Sequence, residues 1–145
     1  MNIAIINGPN LNMLGIREPE IYGNRGYDAL CDLVKEHGDK IGATVTCYQS
    51  NHEGDLVDAI QQCYGKVDGI VINPAAYTHT SVAILDAVKA VGIPTVEVHI
   101  SDMSTREDFR QVSFVRTACV KTICGHGLAG YTEAIDYLKT IIEAK

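Results

Sequence analysis

Hydrophobic and polar positions along the chain alternate between short apolar, β-branched runs and longer stretches of helical period. The clearest run is Gly69-Ile70-Val71-Ile72, which turns polar at Asn73. Such a run suits a strand buried on both faces. Pro74 ends it, because proline lacks an N–H and restricts the residue before it. The polar cluster Tyr77-Thr78-His79-Thr80-Ser81 follows and leads into an apolar-periodic helix. The same reading places strands at Asn2 to Asn7, Ala43 to Gln49, Gly69 to Asn73, Pro94 to Ile100 and Val120 to Cys124. Helices are expected from about Tyr27 to Ile41, from Glu53 with Leu56, Val57 and Ile60 inward, from Ser81 to Val91 and from Leu128 to Glu143. Gly92 suits a C-cap. A short helix is expected over Thr105 to Phe109.

Five strands alternating with helices imply parallel pairing through right-handed crossovers. The expected architecture is a flavodoxin-like α/β three-layer sandwich with strand order 2-1-3-4-5. Its crevice opens between the C-terminal ends of the first and third strands. One catalytic domain over 1–145 is expected. The Gly-, Asn- and Pro-rich stretch Gly8 to Gly26 is long for a strand–helix connection, and such loops are often lids.

Composition changes this picture little. The chain has 145 residues, 46% hydrophobic and 21% charged, as in ordinary globular domains. A net charge of −6 gives no electrostatic case for nucleic acid or an anionic membrane, so any basic site is local. No apolar run approaches bilayer length, and the N-terminus lacks the basic segment and cleavage site of a signal peptide. Five cysteines without a C-x-x-C read as reduced, mostly buried thiols of a cytoplasmic protein.

Polar residues collect where strands end. In Thr95-Val96-Glu97-Val98-His99-Ile100-Ser101, alternate residues share a face, so Glu97, His99 and Ser101 line up. A Glu–His pair there either satisfies itself in the core or serves as an imidazole whose tautomer the carboxylate fixes. In the long loop, Arg17-Glu18-Pro19-Glu20-Ile21-Tyr22-Gly23 sets a guanidinium near a phenol. Tyrosine titrates near 10, and a neighbouring cation favours its phenolate, which turns a poor base into a usable one. Arg106 and Arg110 lie one helical turn apart, and either suits a carboxylate. Gly125-His126-Gly127-Leu128-Ala129-Gly130 matches G-x-G-x-x-G, but too little chain follows for a dinucleotide site. Tight packing of the last helix on the sheet accounts better for these glycines.

Taken together, Gly8-Pro9-Asn10-Leu11-Asn12, Arg17-Glu18-Pro19 with Tyr22-Gly23, Asn73 to Ser81, and Glu97-Val98-His99-Ile100-Ser101 resemble the type II 3-dehydroquinate dehydratases. The likeness spans the whole chain and includes Tyr131 after the last glycine. It implies a lyase that converts 3-dehydroquinate to 3-dehydroshikimate through an enolate, in the shikimate pathway or in quinate breakdown, with no metal or cofactor. By the resemblance Tyr22, beside Arg17, is the base. Asn10 positions a water on the enolate oxygen, and His99, set by Glu97, is the general acid. Asn73, His79, Ile100, Ser101 and Arg110 correspond to substrate-binding positions, and Asp86 to a residue contributed across a subunit boundary. Trimers assembled into a dodecamer are implied.

The chain departs from the family pattern at Asp102, where Asn is usual, at Met103-Ser104-Thr105, and at Val112, where a polar residue is common. An ionised Asp102 near a carboxylate site is expected to weaken binding or divert an arginine. Two other readings of the fold are a flavin or receiver module and a non-catalytic relative. The first lacks both a carboxylate cluster and a Ser/Thr-Gly phosphate loop after strand one, where Gly8-Pro9-Asn10 stands.

Overall fold

The computed structural model describes residues 1–17 and 26–145. Its centre is a five-stranded parallel sheet of order β2-β1-β3-β4-β5, with β1 Asn2–Asn7, β2 Thr44–Gln49, β3 Gly69–Asn73, β4 Thr95–His99 and β5 Lys121–Cys124. The helices are α1 Leu14–Arg17, α2 Tyr27–Ile41, α3 Glu53–Gln62, α4 Val82–Val91 and α5 Ala129–Glu143. This is the expected flavodoxin-like arrangement, with β4 two residues shorter than anticipated. Among the described residues no helix is long and apolar enough to cross a membrane.

Strand periodicity divides the core in two. Ile3 and Ile5 of β1, Val71 of β3, and Val96 and Val98 of β4 pack beneath α2 and α5 with Leu30, Val34, Tyr131, Ile135 and Leu138. Ala4 and Ile6, with Ile70 and Ile72, take the opposite face with Leu56 and Ile60 of α3 and Ile84 and Val88 of α4. This parity places the site. Asn7 and Asn73 follow Ile5 and Val71 to the α5 side, whereas Glu97 and His99 alternate with Val96 and Val98 and take the other side. Parallel register pairs Asn7 with Asn73 and Ile72 with Glu97, so these polar residues converge at one sheet edge.

Local chemistry sets the element ends. Ser81 caps α4 by accepting the Ile84 N–H at 2.9 Å, and Gly92 closes it at φ 65 in the left-handed region. At Gly8 the exits of β1 and β3 touch. Its N–H donates to the Asn73 carbonyl at 2.8 Å, and a Cβ there would lie 2.5 Å from the Pro74 oxygen.

Three expectations need correction. Gly8 to Gly26 is not all loop, because a 3-10 turn, Leu11–Met13, runs into α1. The turn is initiated by Asn10 at φ 73, whose carbonyl accepts the Met13 N–H at 2.9 Å. The helix expected over Thr105 to Phe109 is replaced by two 3-10 turns, Met103–Thr105 and Asp108–Gln111. Arg106 and Glu107 between them are extended, and the Gln111 side-chain amide serves carbonyls that a helix would have satisfied, donating to Met103 at 2.8 Å and Arg106 at 3.2 Å. The cysteines are free, but only Cys63 is buried, the other four being half-buried.

Candidate active site

The C-terminal edge of the sheet carries an open crevice of about 240 Å³. It extends past the expected gap between β1 and β3 to the end of β4. Pro9, Asn10, Leu11 and Leu14 line it from the β1 exit, and Asn73, Ala75, Ala76 and His79 from the β3 exit. His99, Ile100, Ser101 and Met103 line it from the β4 exit, and Arg106 and Arg110 complete it.

On the β4 side, Glu97 is fully buried and His99 is 5% exposed. Glu97 Oε2 accepts the hydrogen bond of His99 Nε2. The same carboxylate accepts Thr78 Oγ1–H at 2.8 Å and Ser113 Oγ–H at 3.0 Å. Burial pushes the Glu97 carboxyl up, but the hydrogen bond and charge of His99, then the hydroxyls of Thr78 and Ser113, outweigh it. The group sits below its ordinary 4.5. With Nε2 committed to a carboxylate, His99 has Nδ1 left for exchange with a ligand.

On the β3 side, Asn73 Nδ2 donates to the Tyr131 hydroxyl at 2.8 Å, and Tyr131 donates to Asn7 Oδ1 at 2.7 Å. Asn7 in turn lies 3.4 Å from the Tyr27 hydroxyl. Burial raises the Tyr131 phenol far above its ordinary value, against the opposing Asn73 bond, so it stays neutral and can both donate and accept. Asn73 Oδ1 accepts the Ala75 N–H at 3.0 Å. Ala75 is left-handed, at φ 53, a conformation that costs a non-glycine residue about 1–2 kcal/mol.

His79 Nδ1 donates to the Val112 carbonyl at 2.6 Å, since a carbonyl can only accept. Among the described residues, His79 Nε2 is the one buried side-chain nitrogen or oxygen without a hydrogen-bond partner. His79 lines the crevice, where a ligand hydroxyl can donate to this nitrogen. Val112, where the family pattern favours a polar side chain, thus contributes through its backbone. Arg110 donates from Nε to Glu107 at 2.5 Å and lies over the Phe109 ring at 5.3 Å.

The β4 exit is held by the glycines of the G-x-G-x-x-G segment. Gly125 N–H donates to His99 O at 3.2 Å and Gly127 N–H to Ile100 O at 3.1 Å. A Cβ on Gly130 would lie 3.3 Å from Val98, as tight helix-to-sheet packing requires.

Of the residues singled out in the sequence, the fold gathers Asn10, Asn73, His79, His99, Ile100, Ser101 and Arg110 around one crevice, with Glu97 behind His99. Asp86 is not brought in: it is exposed on α4 and lies outside the lining. Tyr22 lies outside the described residues, as does the Arg17 side chain. Asp102 is also absent from the lining. Its carboxylate accepts the Ser104 hydroxyl at 2.7 Å and the Ser104 N–H at 2.9 Å, bonds that keep it ionised. Sequence reasoning had no signal for Leu14 or Ser113, and it held Asn7, Leu11, Thr78 and Met103 only as members of strand-end or motif segments, without a part in the site of their own.

The model of the class II dehydroquinase family matches residues 1–139. The chain is 54% identical over 142 residues to the 3-dehydroquinate dehydratase of Clostridium acetobutylicum, covering 98% of this chain and 99% of that one. It is 51% identical over 146 residues to the 3-dehydroquinate dehydratase of Clostridium perfringens strain 13, at full coverage of both. The crystal structure of type II dehydroquinase from Butyrivibrio crossotus superposes with a TM-score of 0.91 at 52% identity, covering 96% of this chain and 97% of the other.

Proposed function

The chain belongs to the class II dehydroquinase family, and on that premise we propose that it dehydrates 3-dehydroquinate to 3-dehydroshikimate in the shikimate pathway. In this reading 1–145 is one catalytic domain, and the segment within 8–26 bearing Arg17 and Tyr22 closes over the crevice. Tyr22, as a phenolate favoured by Arg17, removes the proton from the carbon beside the ketone. The electron pair moves into an enolate, whose oxygen meets a water positioned by Asn10. His99, oriented by Glu97, protonates the departing hydroxyl, which leaves as water as the enolate collapses to the conjugated product. Steps of this type contribute about 10²–10⁴ in rate each.

The observation that carries this reading is the buried Glu97–His99 pair in a crevice that also holds Arg106 and Arg110. One ordered imidazole supplies the acid, and the guanidiniums supply local positive charge for a carboxylate in a chain of net charge −6. Asn73, His79, Ser101 and the Ile100 backbone hold the ring hydroxyls and carboxylate in place. No lysine is among the described residues lining the crevice, which suits a route without a Schiff base. Asp86 serves the crevice of a neighbouring subunit, in trimers assembled into a cytoplasmic dodecamer.

Mixing the protein with 3-dehydroquinate should produce the ultraviolet absorbance of the conjugated enone. His99→Ala and Tyr22→Phe should each lower kcat by about 10²–10⁴. Borohydride added with substrate should leave activity intact. An inert parent, or a Tyr22→Phe variant of full rate, overturns the assignment.

A further inference from the structure

Glu97 is anchored by more than His99. Its side chain is fully buried, where an ionised carboxylate is costly unless donors surround it. Oε2 accepts from His99 and from Thr78 Oγ1 at 2.8 Å, and Oε1 accepts from Ser113 Oγ at 3.0 Å. The two hydroxyl oxygens are 2.5 Å apart, and Ser113 Oγ also accepts the Arg116 N–H at 3.1 Å. Thr78 is 1% exposed and Ser113 7%.

We propose that Thr78 and Ser113 are positioning residues for the general acid: their hydroxyls fix the Glu97 carboxylate, and through it the tautomer and ring orientation of His99. This rests on the assignment of His99 as the proton donor. Neither residue lines the crevice, so neither hydroxyl acts on the substrate directly.

The geometry gives the pair a defined origin. Thr78 lies in the 3-10 turn Ala75–His79 after β3, and Ser113 precedes the turn Val115–Ala118. The two segments are stitched by Phe114 N–H donating to the Thr78 carbonyl at 2.8 Å and by His79 Nδ1–H donating to the Val112 carbonyl at 2.6 Å. One seam therefore sets both His79 at the crevice and the hydroxyls behind Glu97. A lone Glu–His contact leaves the carboxylate free to rotate about its last side-chain bond, which is broad and soft. A donor on each oxygen removes that freedom before substrate arrives, as preorganised catalysis requires.

The test is a set of double-mutant cycles on kcat, KM and thermal midpoint, with 3-dehydroquinate as substrate. Thr78→Val and Ser113→Ala are each expected to lower kcat by about tenfold or more, the scale of one hydrogen bond to a charged group, with KM within about threefold of the parent. Thr78→Ser keeps the hydroxyl and should restore most of the rate. In a Glu97→Gln background, Thr78→Val and Ser113→Ala should cost less than about twofold in kcat, because the group they act through is gone. A purely structural role would lower the thermal midpoint without this dependence on Glu97. If Ser113→Ala fails to fold, the near-isosteric Thr78→Val carries the test. An active parent whose folded variants keep kcat, or lose it equally with and without Glu97, overturns the inference alone. An inert parent overturns the reaction assignment and this inference with it.

Discussion

Asn73 and Tyr131 meet beneath the crevice, the Asn73 amide donating to the Tyr131 hydroxyl at 2.8 Å across 58 residues of chain. With Oδ1 taken by the Ala75 N–H, this bond fixes which way the amide points and which of its hydrogens remains for a ligand. Tyr131→Phe removes the hydroxyl and leaves Asn73 Nδ2 and Asn7 Oδ1 without that partner. The expected cost is about 1–3 kcal/mol in urea unfolding, with a raised KM. An unchanged midpoint and KM would show that the amide is held without Tyr131.

The two glycines Gly8 and Gly54 should respond with opposite signs. A Cβ at Gly8 would meet the Pro74 backbone oxygen at 2.5 Å, and backbone cannot step aside as a flexible side chain does. Gly8→Ala should lose about 2 kcal/mol or more and open the β1–β3 exit, seen as a lower thermal midpoint and a higher KM. Gly54, inside α3, has nothing within 4 Å of such an atom. There Gly54→Ala should raise the midpoint by an amount worth about 0.5 kcal/mol, through helix propensity and lost unfolded-state freedom.

Stability on the acid side should carry the signature of Glu97. Burial raises this carboxyl, but His99 and then Thr78 and Ser113 prevail and hold it below 4.5. A depressed native pKa means that the carboxylate stabilises the fold fully above its unfolded value and stops doing so as pH falls through the native one. The contribution of Glu97 to the thermal midpoint should therefore stay level from pH 7 to about 5 and fall away below pH 4.5. Glu97→Gln should be less stable at pH 7 yet decline more gently on acidification. Parallel curves for the two proteins would count against this origin of the acid limb.

At Asp102 the structure argues against a large penalty. Its carboxylate is turned to Ser104 and stands outside the crevice lining. Asp102→Asn is expected to change kcat/KM by less than about threefold, since an exposed charge is screened by solvent and salt. A tenfold gain would mean that the carboxylate does reach the substrate.

The sequence by itself determined the layer order, the strands and the polar edge of the sheet. Those features rest on local rules: a period of two for strands, a period near 3.6 for helices, and proline, serine and glycine at their ends. Parity alone placed Glu97 and His99 on one face, because alternation along β4 needs no partner to be read. Only the tertiary structure decided what completes them. Thr78 and Ser113 reach Glu97 across 19 and 16 residues, and Tyr131 reaches Asn7 across 124. Such contacts follow from parallel register and packing of turns, which leave no periodic trace in the chain. The stretch after β4 shows the same limit. A short helix is expected over Thr105 to Phe109, yet Gln111 supplies donors to the carbonyls of Met103 and Arg106, and two tight turns bring Arg106 and Arg110 to one crevice. Local propensity is worth tenths of a kcal/mol per residue, and a few well-placed hydrogen bonds outweigh it.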